Sequence, residues 1–286
     1  MRGVSESLAG RIGILEMSGL SLRELMPESN PPRPYVPRLL ERGECEGLSD
    51  SFDLWAHIQR GSMPELCVSG VPWSRFWSSY VQAYLERDVR ALINLRSESK
   101  FYDFMVAAAA RSGQLYNASD IASDIGVDYK TVQEWTSILQ ASGVIRVIRP
   151  FRPNVGKRLT KTPKLYFMDT GLVCYLTRWT TPEVLRNGAA AGHVFETFVV
   201  SEVLKSYMNA GADMRDVWFY RDSRKREIDL VIQEGRVLHP VEIKAGILIG
   251  SDATRSAWLV ERTARGKCPF RLVRRELFCS LPSNVE

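Results

Sequence analysis

The sequence has few of the residues that build zinc sites, and its apolar runs are short. Its five cysteines are scattered without a CxxC pair, and its three histidines lie far apart. A zinc site is therefore not expected, and the cysteines are expected to be reduced thiols. No apolar run approaches the roughly 18 residues of a membrane span, and Glu6 and Glu16 interrupt the stretch where a signal peptide needs its apolar core. These absences predict a cytoplasmic protein without a membrane partner.

A phosphate-binding loop is also missing from the sequence. The motif GxxxxGK[ST] does not occur, because the Gly-Lys pairs at 156–157 and 266–267 are followed by Arg158 and Cys268. A P-loop needs its glycine-rich turn, its lysine and its Mg²⁺-binding hydroxyl to hold nucleotide phosphates. We therefore expect no ATP site in this chain and no ATPase activity from it alone.

Positive charge is concentrated in one segment, residues 145–164. The net charge of the chain is +5, from 38 Lys and Arg against 33 Asp and Glu. Seven of these bases and no acid lie in the segment, which leaves 31 bases against 33 acids elsewhere. The seven bases are Arg146, Arg149, Arg152, Lys157, Arg158, Lys161 and Lys164. A basic cluster on an otherwise slightly acidic chain indicates a polyanion as partner.

Residues 117–145 have the pattern of a helix-turn-helix. Apolar positions mark two helices, Gly126 allows the turn between them, and Asp128 is the predicted N-cap of the second helix. Two strands, VIRVIRPF and KLYFM, follow around the basic stretch RPNVGKRLTKTP, which is typical of a winged helix. The predicted nucleic-acid-binding residues are Lys130, Arg149, Arg152, Lys157, Arg158 and Lys161. The alternative is a winged helix that serves only packing or protein contact.

A second pattern lies in REIDLVIQEGRVLHPVEIKAG, residues 226–246, where charges interrupt two apolar runs. A two-residue hairpin turn at Glu234-Gly235 would separate two faces of this hairpin. One face carries Glu227, Asp229, Glu242 and Lys244, and the other carries Ile228, Leu230, Ile232, Val241 and Ile243. In this register Asp229 and Glu242 are diagonal neighbours, close enough for both carboxylates to reach one ion.

The residues Asp229, Glu242 and Lys244 have the D…ExK arrangement of PD-(D/E)xK nucleases. Asp229 and Glu242 would bind a Mg²⁺ ion that activates water for phosphodiester cleavage. Lys244 would stabilise the attacking water or a phosphate oxygen, and Glu196 in the helix GHVFETFVVSEVLKSYM would add a further acid. The alternative is that these charges form an ordinary solvated surface.

Several blocks of the chain resemble one family in the same order. They are YLERDVR, GQLYNASDIASDIGVDYKTVQEWTSILQASGVI, KRLTKTPKLYFMDTGL, GHVFETFVVSE, YRDSRKREIDLVI and VEIKAG, within about residues 49–246. The family is domain of unknown function 4143, the C-terminal half of certain bacterial and archaeal P-loop AAA-type ATPases. In addition, SLAGRIGILEMSGLSLREL resembles the last strand of their ATPase module, and Arg11 stands where members of the family have an arginine.

The resemblance implies an ATPase module, then a winged helix, then a restriction-endonuclease-like domain. Because this chain has no P-loop, it resembles a truncated or split member of that ATP-binding family. The expected fold class is mixed α+β, with a helical lead and winged helix before an α/β nuclease-like domain. The expected boundaries are 1–30 for the ATPase remnant, 31–112 for a linker and helical region, 113–180 for the winged helix and 185–286 for the nuclease-like domain.

The leading functional prediction is nucleic-acid binding, with DNA favoured over RNA and a candidate Mg²⁺-dependent nuclease in the C-terminal domain. Sequence-specific base reading is not expected, because the helix at residues 129–141 carries one base. Two alternatives from other classes stay open. One is a non-catalytic module that docks a separate P-loop ATPase or another protein partner, and the other is a DNA-binding regulator.

Overall fold

The computed structural model describes residues 16–25, 34–35, 51–85, 98–151, 161–235 and 237–245, with the backbone of residues 271–274. The fold is mixed α+β, as the sequence predicts. The helices are α1 (Leu54–Arg60), α2 (Pro64–Val68), α3 (Trp73–Ala83), α4 (Glu98–Ala109), α5 (Ala118–Ile125), α6 (Tyr129–Ala141), α7 (Thr170–Leu176), α8 (Pro182–Asn187) and α9 (Ala191–Asn209). The strands are β1 (Gln114–Leu115), β2 (Ile145–Ile148), β3 (Lys164–Phe167), β4 (Val217–Arg221), β5 (Glu227–Glu234), β6 (Val237–Lys244) and β7 (Arg271–Arg274). Within these ranges no helix is both long and apolar enough to cross a membrane.

The end of α1 and the start of α7 meet at a junction that requires glycine. α1 begins after Asp53, whose carboxylate accepts a hydrogen bond from the Ala56 N–H at 3.0 Å. It ends at Gly61, where φ is +95°. A Cβ on Gly171, in the first turn of α7, would lie 2.4 Å from the carbonyl oxygen of Arg60. The two helix ends therefore touch through their backbones, with no room for a side chain between them.

A buried polar network holds an N-terminal segment against α9. The Lys205 ammonium donates to Ser62 Oγ at 2.9 Å and to Glu202 Oε1 at 2.8 Å. It also donates to the Leu20 carbonyl oxygen at 3.1 Å, while the other Glu202 oxygen accepts from the Leu22 N–H at 2.7 Å. These bonds fix the segment at one place on the protein. Most of the stretch that resembles the last strand of an ATPase module, including Arg11, and most of the linker region lie outside the described residues.

Two helices, α5 and α6, occupy the positions predicted for the helix-turn-helix. Asn117 and Asp128 cap them by accepting hydrogen bonds from the N–H groups of Ser119 (3.0 Å) and Lys130 (2.7 Å). Gly126 has a φ of +66°, the left-handed conformation that the turn needs. Three of the four positions predicted for the buried stripe of α6 are buried, namely Val132, Trp135 and Leu139. The predicted N-cap and turn are confirmed.

β2 and β3 form an antiparallel pair that follows α6. The three-stranded sheet has the order β1-β3-β2, with Ile145 opposite Phe167 and Ile148 opposite Lys164. This order of helices and strands is the one that a winged helix requires. Residues 152–160, where the tip of the wing is predicted, lie outside the described residues. The winged-helix assignment therefore stays a prediction.

The C-terminal sheet has the strand order β4-β5-β6-β7, and α9 packs against it. β5 is antiparallel to β4 and β6, whereas β7 is parallel to β6. Residues 246–270, which separate β6 from β7, lie outside the described residues. The two sheets are joined where Pro150 bridges Phe219 of β4, and the Phe151 N–H donates to the Phe219 carbonyl oxygen at 2.6 Å.

The hairpin of β5 and β6 turns one residue later than predicted. Glu234 pairs with Val237, so Glu234 belongs to the strand and the loop begins at Gly235 rather than at Glu234. Gly235 has a φ of +60°, which suits the first loop position of a tight hairpin turn. The predicted pairing of the two strands is therefore wrong by two positions.

A β-bulge also interrupts the alternation of side chains along β5. The register against β4 changes between Trp218 opposite Val231 and Tyr220 opposite Ile228, so β5 carries one extra residue there. Ile228 consequently packs with Tyr220 and Val231 in a small cluster, while Leu230 belongs to the main core. The prediction that Ile228 and Leu230 share one face is wrong for this reason.

Candidate functional site

Lys164 contacts three carboxylates at the place where the first sheet meets α9 and β5. Its ammonium lies 2.7 Å from Glu196 Oε1 and 3.8 Å from Asp229 Oδ1, and it also pairs with Glu227 Oε1. Lys164 is 2% exposed. Lys164 was counted among the bases of the segment 145–164, but β3 directs this side chain into the protein, so it is not available to a polyanion.

Glu196 is held by two donors from β3. The Lys164 ammonium and the Tyr166 hydroxyl each donate to Glu196 Oε1 at 2.7 Å. Of the 19 residues of α9, twelve are buried, so this helix is enclosed on most of its sides. The Glu196 carboxylate is consequently directed at β3 in the protein interior and is not on a solvated surface.

The three residues of the D…ExK pattern lie at the adjoining ends of β5 and β6. The pairing of β5 with β6 is regular as far as Leu230 opposite Val241, and Asp229 follows this pair at the bulge. Asp229 Oδ2 accepts a hydrogen bond from the Ile243 N–H at 2.8 Å. The Lys244 ammonium lies 2.6 Å from Glu242 Oε1. The structure thus brings the predicted residues together at one end of the hairpin.

Four carboxylates and three cations share this part of the protein. We call the carboxylates the acid cluster, which consists of Glu196, Glu227, Asp229 and Glu242. The cations are Lys164, Lys244 and Arg221, which pairs with Glu227. One oxygen of the cluster, Glu242 Oε2, is buried and has no hydrogen-bond partner within the described ranges. With all four carboxylates ionised, the acid cluster would carry one more negative charge than these three cations neutralise.

Burial controls the pKa values in the acid cluster. Burial, together with the nearby charge of Asp229, raises the pKa of Glu196 and that of Glu242 to about 7. The pKa of Asp229 is also raised, chiefly by burial and against the opposing charge of Lys164. Burial alone would lower the pKa of Lys164, but the charges of Glu196, Asp229 and Glu227 outweigh burial and raise it. Near neutral pH the lysine is therefore charged while Glu196 and Glu242 are partly protonated.

The acid cluster does not fit a Mg²⁺ ion in this arrangement. Among the described residues, no three or more His, Cys, Asp or Glu side chains are arranged to hold a metal ion. Mg²⁺ needs a near-octahedral set of oxygen ligands at about 2.0–2.1 Å. One oxygen of Glu196 is instead held by Lys164 and Tyr166, and one of Asp229 by a backbone N–H. No metal-dependent step follows from these contacts.

Sequence reasoning missed Lys164 and Tyr166 and gave Glu227 no role. The two β3 residues are separated by one position, so their side chains leave the strand on the same side. If Tyr166 points into the protein, Lys164 must point into it as well. This alternation along β3 was the sequence signal that could have identified Lys164 as an interior residue. The carboxylates they contact lie 30 or more residues away along the chain, and no local pattern names such partners.

The predicted nucleic-acid-binding residues are only partly within the described ranges. Three of them are described and are exposed, namely Lys130, Arg149 and Lys161. The other three, Arg152, Lys157 and Arg158, lie outside the described residues. Arg146 of the basic segment is half-buried and pairs with Glu16. With Lys164 buried and Arg146 paired with Glu16, five of the seven bases in residues 145–164 are left for a partner.

Comparison with protein families divides the chain into two parts. Residues 51–183 match the model for Domain of unknown function (DUF8612), and residues 191–274 match the model for Domain of unknown function (DUF4143). The C-terminal part of this chain is thus similar to DUF4143 domains. All four residues of the acid cluster lie within the DUF4143 match. Lys164 and Tyr166 come from the part that matches DUF8612, so the site is built across the two family matches.

Two curated mycobacterial proteins are similar to this chain. Uncharacterized protein Rv2008c of Mycobacterium tuberculosis and Uncharacterized protein Mb2031c of Mycobacterium bovis are each 26% identical to it over 241 residues. The matched residues cover 84% of this chain and 48% of each relative. The chain therefore spans about half the length of the curated relatives it matches. No solved structure matches the chain significantly.

Proposed function

We propose that the protein binds nucleic acid, with duplex DNA as the first candidate, through α6 and the basic segment that follows it. The observation that supports this most is the segment at 147–163, which has five bases and no acid. Arg149 and Lys161, near its two ends, are exposed. Bases without competing acids favour phosphate oxygens as partners, because each contact releases a condensed counterion from the nucleic acid.

Phosphate contacts rather than base contacts dominate this proposed interaction. The exposed side of α6 carries Lys130, Gln133 and Glu134, so it offers one base and one acid to a groove. Direct reading of base pairs depends on placed side chains such as Arg, Asn or Gln at base edges. With so few of these, we expect the protein to bind different sequences with similar affinity. Phosphodiester cleavage is not part of the proposal, because the acid cluster does not fit Mg²⁺.

A docking module is the second candidate function. Two observations favour it: the chain spans about half the length of its curated relatives, and the N-terminal segment that resembles the end of an ATPase module is fixed to α9 by buried hydrogen bonds. We propose that a protein partner with a P-loop ATPase module would be held through this segment. The two candidate functions use different surfaces and do not exclude each other.

Fluorescence anisotropy with a short labelled duplex tests the first proposal. Affinity should fall with salt by about 0.9 log units per log unit of salt for each phosphate contact. Replacing Lys157 and Arg158 with Ala should weaken binding to all sequences alike. It should also reduce the slope of log affinity against log salt by up to about two. The control variant replaces Arg75 and Arg186, two exposed helix residues, so that the same charge is removed elsewhere.

The two candidate functions give different results in this experiment. Equal weakening by the control variant would show that net charge, and not the basic segment, sets the affinity, and the proposal would then be wrong. Unchanged DNA affinity in the Lys157/Arg158 variant, together with loss of a co-purifying protein, would replace nucleic-acid binding with the docking function.

A further inference from the structure

The ammonium of Lys164 is placed as a cation bound by carboxylates. It contacts Glu196, Glu227 and Asp229, which come from α9 and β5. An ammonium has three N–H donors, so three acceptors are the number it can satisfy. The lysine is nearly inaccessible to solvent at 2% exposure, and its charge is therefore neutralised by protein oxygens and not by water.

A second feature of the acid cluster indicates unused capacity for a cation. Glu242 is only 6% exposed, and its Oε2 atom is buried without a hydrogen-bond partner in the described part of the chain. Burying an unpaired carboxylate oxygen is costly. Asp229 is hydrogen-bonded to the N–H of Ile243, the residue after Glu242, so the two strands present two carboxylates near the lysine.

The balance of charge shows what the loss of Lys164 would do. With the lysine, four carboxylates face three cations. Without it, two of these cations remain, Lys244 and Arg221, and the four carboxylates have an excess of two negative charges when all of them are ionised. One divalent cation matches this excess. Removing the lysine also frees the nearer oxygens of Glu227 and Asp229 and leaves Glu196 Oε1 with the Tyr166 hydroxyl as its donor. Carboxylate oxygens are the kind of ligand that divalent ions bind.

We propose that Lys164 is the resident cation of the acid cluster and keeps divalent ions out of it. Replacing this lysine with an uncharged residue turns the acid cluster into a site for one divalent ion. This inference does not rest on nucleic-acid binding, because it concerns side chains inside the protein and a metal ion alone.

Binding of Mn²⁺, followed by electron paramagnetic resonance and isothermal titration calorimetry, tests the proposal. Wild type should bind no stoichiometric Mn²⁺, and Lys164→Met should bind one ion. The control is Lys161→Ala, which removes the same charge from an exposed residue three positions earlier and should behave as wild type does. Adding Asp229→Asn to Lys164→Met should weaken Mn²⁺ binding about tenfold or more.

Several results would overturn the proposal. One is stoichiometric Mn²⁺ binding by wild type that Asp229→Asn abolishes, since Lys164 would then not exclude the ion. Another is a folded Lys164→Met protein that binds no Mn²⁺. If Lys164→Met does not fold without metal, its circular dichroism in excess Mn²⁺ decides the question. Refolding with the ion supports the proposal, and failure to refold contradicts it.

Discussion

Replacing Tyr166 with Phe removes one hydroxyl from the candidate site and should destabilise the fold in a way that depends on pH. The hydroxyl donates to Glu196 Oε1 at 2.7 Å, and Tyr166 is completely buried. A hydrogen bond to a charged group contributes about 1.5–3 kcal/mol, against about 0.5–1.5 kcal/mol for a neutral pair. We therefore expect a loss of about 2 kcal/mol where Glu196 is ionised and of about 1 kcal/mol where it is protonated.

The pH range follows from the pKa of Glu196. Its pKa in the fold is about 7, above the ordinary value of 4.5, so the folded protein holds this proton more tightly than the unfolded chain. Stability from this group is therefore present at low pH and is lost as the pH rises from about 4.5 to about 7. The Tyr166 hydroxyl favours the ionised form of the Glu196 carboxylate. Its removal should therefore raise the pKa of Glu196 further, so that the free energy of unfolding continues to fall above pH 7.

Urea unfolding at about pH 5.5 and about pH 8.5 measures this difference directly. The matched control is Tyr116→Phe, because the Tyr116 hydroxyl is hydrogen-bonded to Thr136 Oγ1 at 2.6 Å and to no carboxylate that the structure describes. The control should lose a similar free energy of unfolding at both pH values. An equal loss at both pH values for Tyr166→Phe would refute the coupling between this hydroxyl and the ionisation of Glu196.

Three further predictions concern other parts of the chain. Gly171→Ala should lower the free energy of unfolding by about 1–3 kcal/mol, since its Cβ would lie 2.4 Å from the Arg60 carbonyl oxygen; an unchanged urea midpoint would contradict this. Lys205→Met should cost about 3–5 kcal/mol, because Glu202 would lose its buried cation, and equal urea stability of this variant and wild type would count against it. Purified protein should show no ATP turnover above a blank, because GxxxxGK[ST] is absent; reproducible turnover would show that another ATP site exists.

The elements predicted best from the sequence are those fixed by neighbouring residues. Asp128 caps α6 through a bond to a backbone group two residues away, and Gly126 supplies the left-handed turn before it. Both effects act within a few residues, so a single sequence contains all the information that they need. The alternation of β2 and β3 is local in the same sense, and both strands were predicted.

The β5–β6 hairpin shows where local patterns stop being sufficient. The turn was predicted to begin at Glu234, but Glu234 is paired with Val237 and the loop begins at Gly235. A shift of the loop by one residue leaves the same residues on each face, so the alternation of side chains cannot distinguish the two turns. The bulge opposite Trp218 and Tyr220 depends on pairing with β4, a strand whose register no pattern within β5 reveals. The D…ExK residues lie near one another, while the bulge at Asp229 was not predicted.

Lys164 was misassigned because its partners are remote in sequence. It ends an acid-free run of bases and so has the local appearance of a phosphate-binding residue. Its partners Glu196 and Glu227 lie 32 and 63 positions further along the chain, in a different family match. Only the packing of β3 against α9 and β5 shows that this charge is used inside the protein.

The anchoring of Lys164 limits what the basic segment can contribute to DNA binding. Lys164 pairs with Ile148 at the base of the β2–β3 hairpin and contacts three buried carboxylates. Moving it to a phosphate would break a buried ion-pair network at a cost of about 3–5 kcal/mol, whereas one phosphate contact contributes about 1 kcal/mol at physiological salt. The lysine therefore stays in place when the hairpin binds. Arg146 is also paired, with Glu16, so the segment has five bases for phosphates. Its contribution to the slope of log affinity against log salt is therefore at most about 4.5 in magnitude, whereas seven bases would contribute about 6.3.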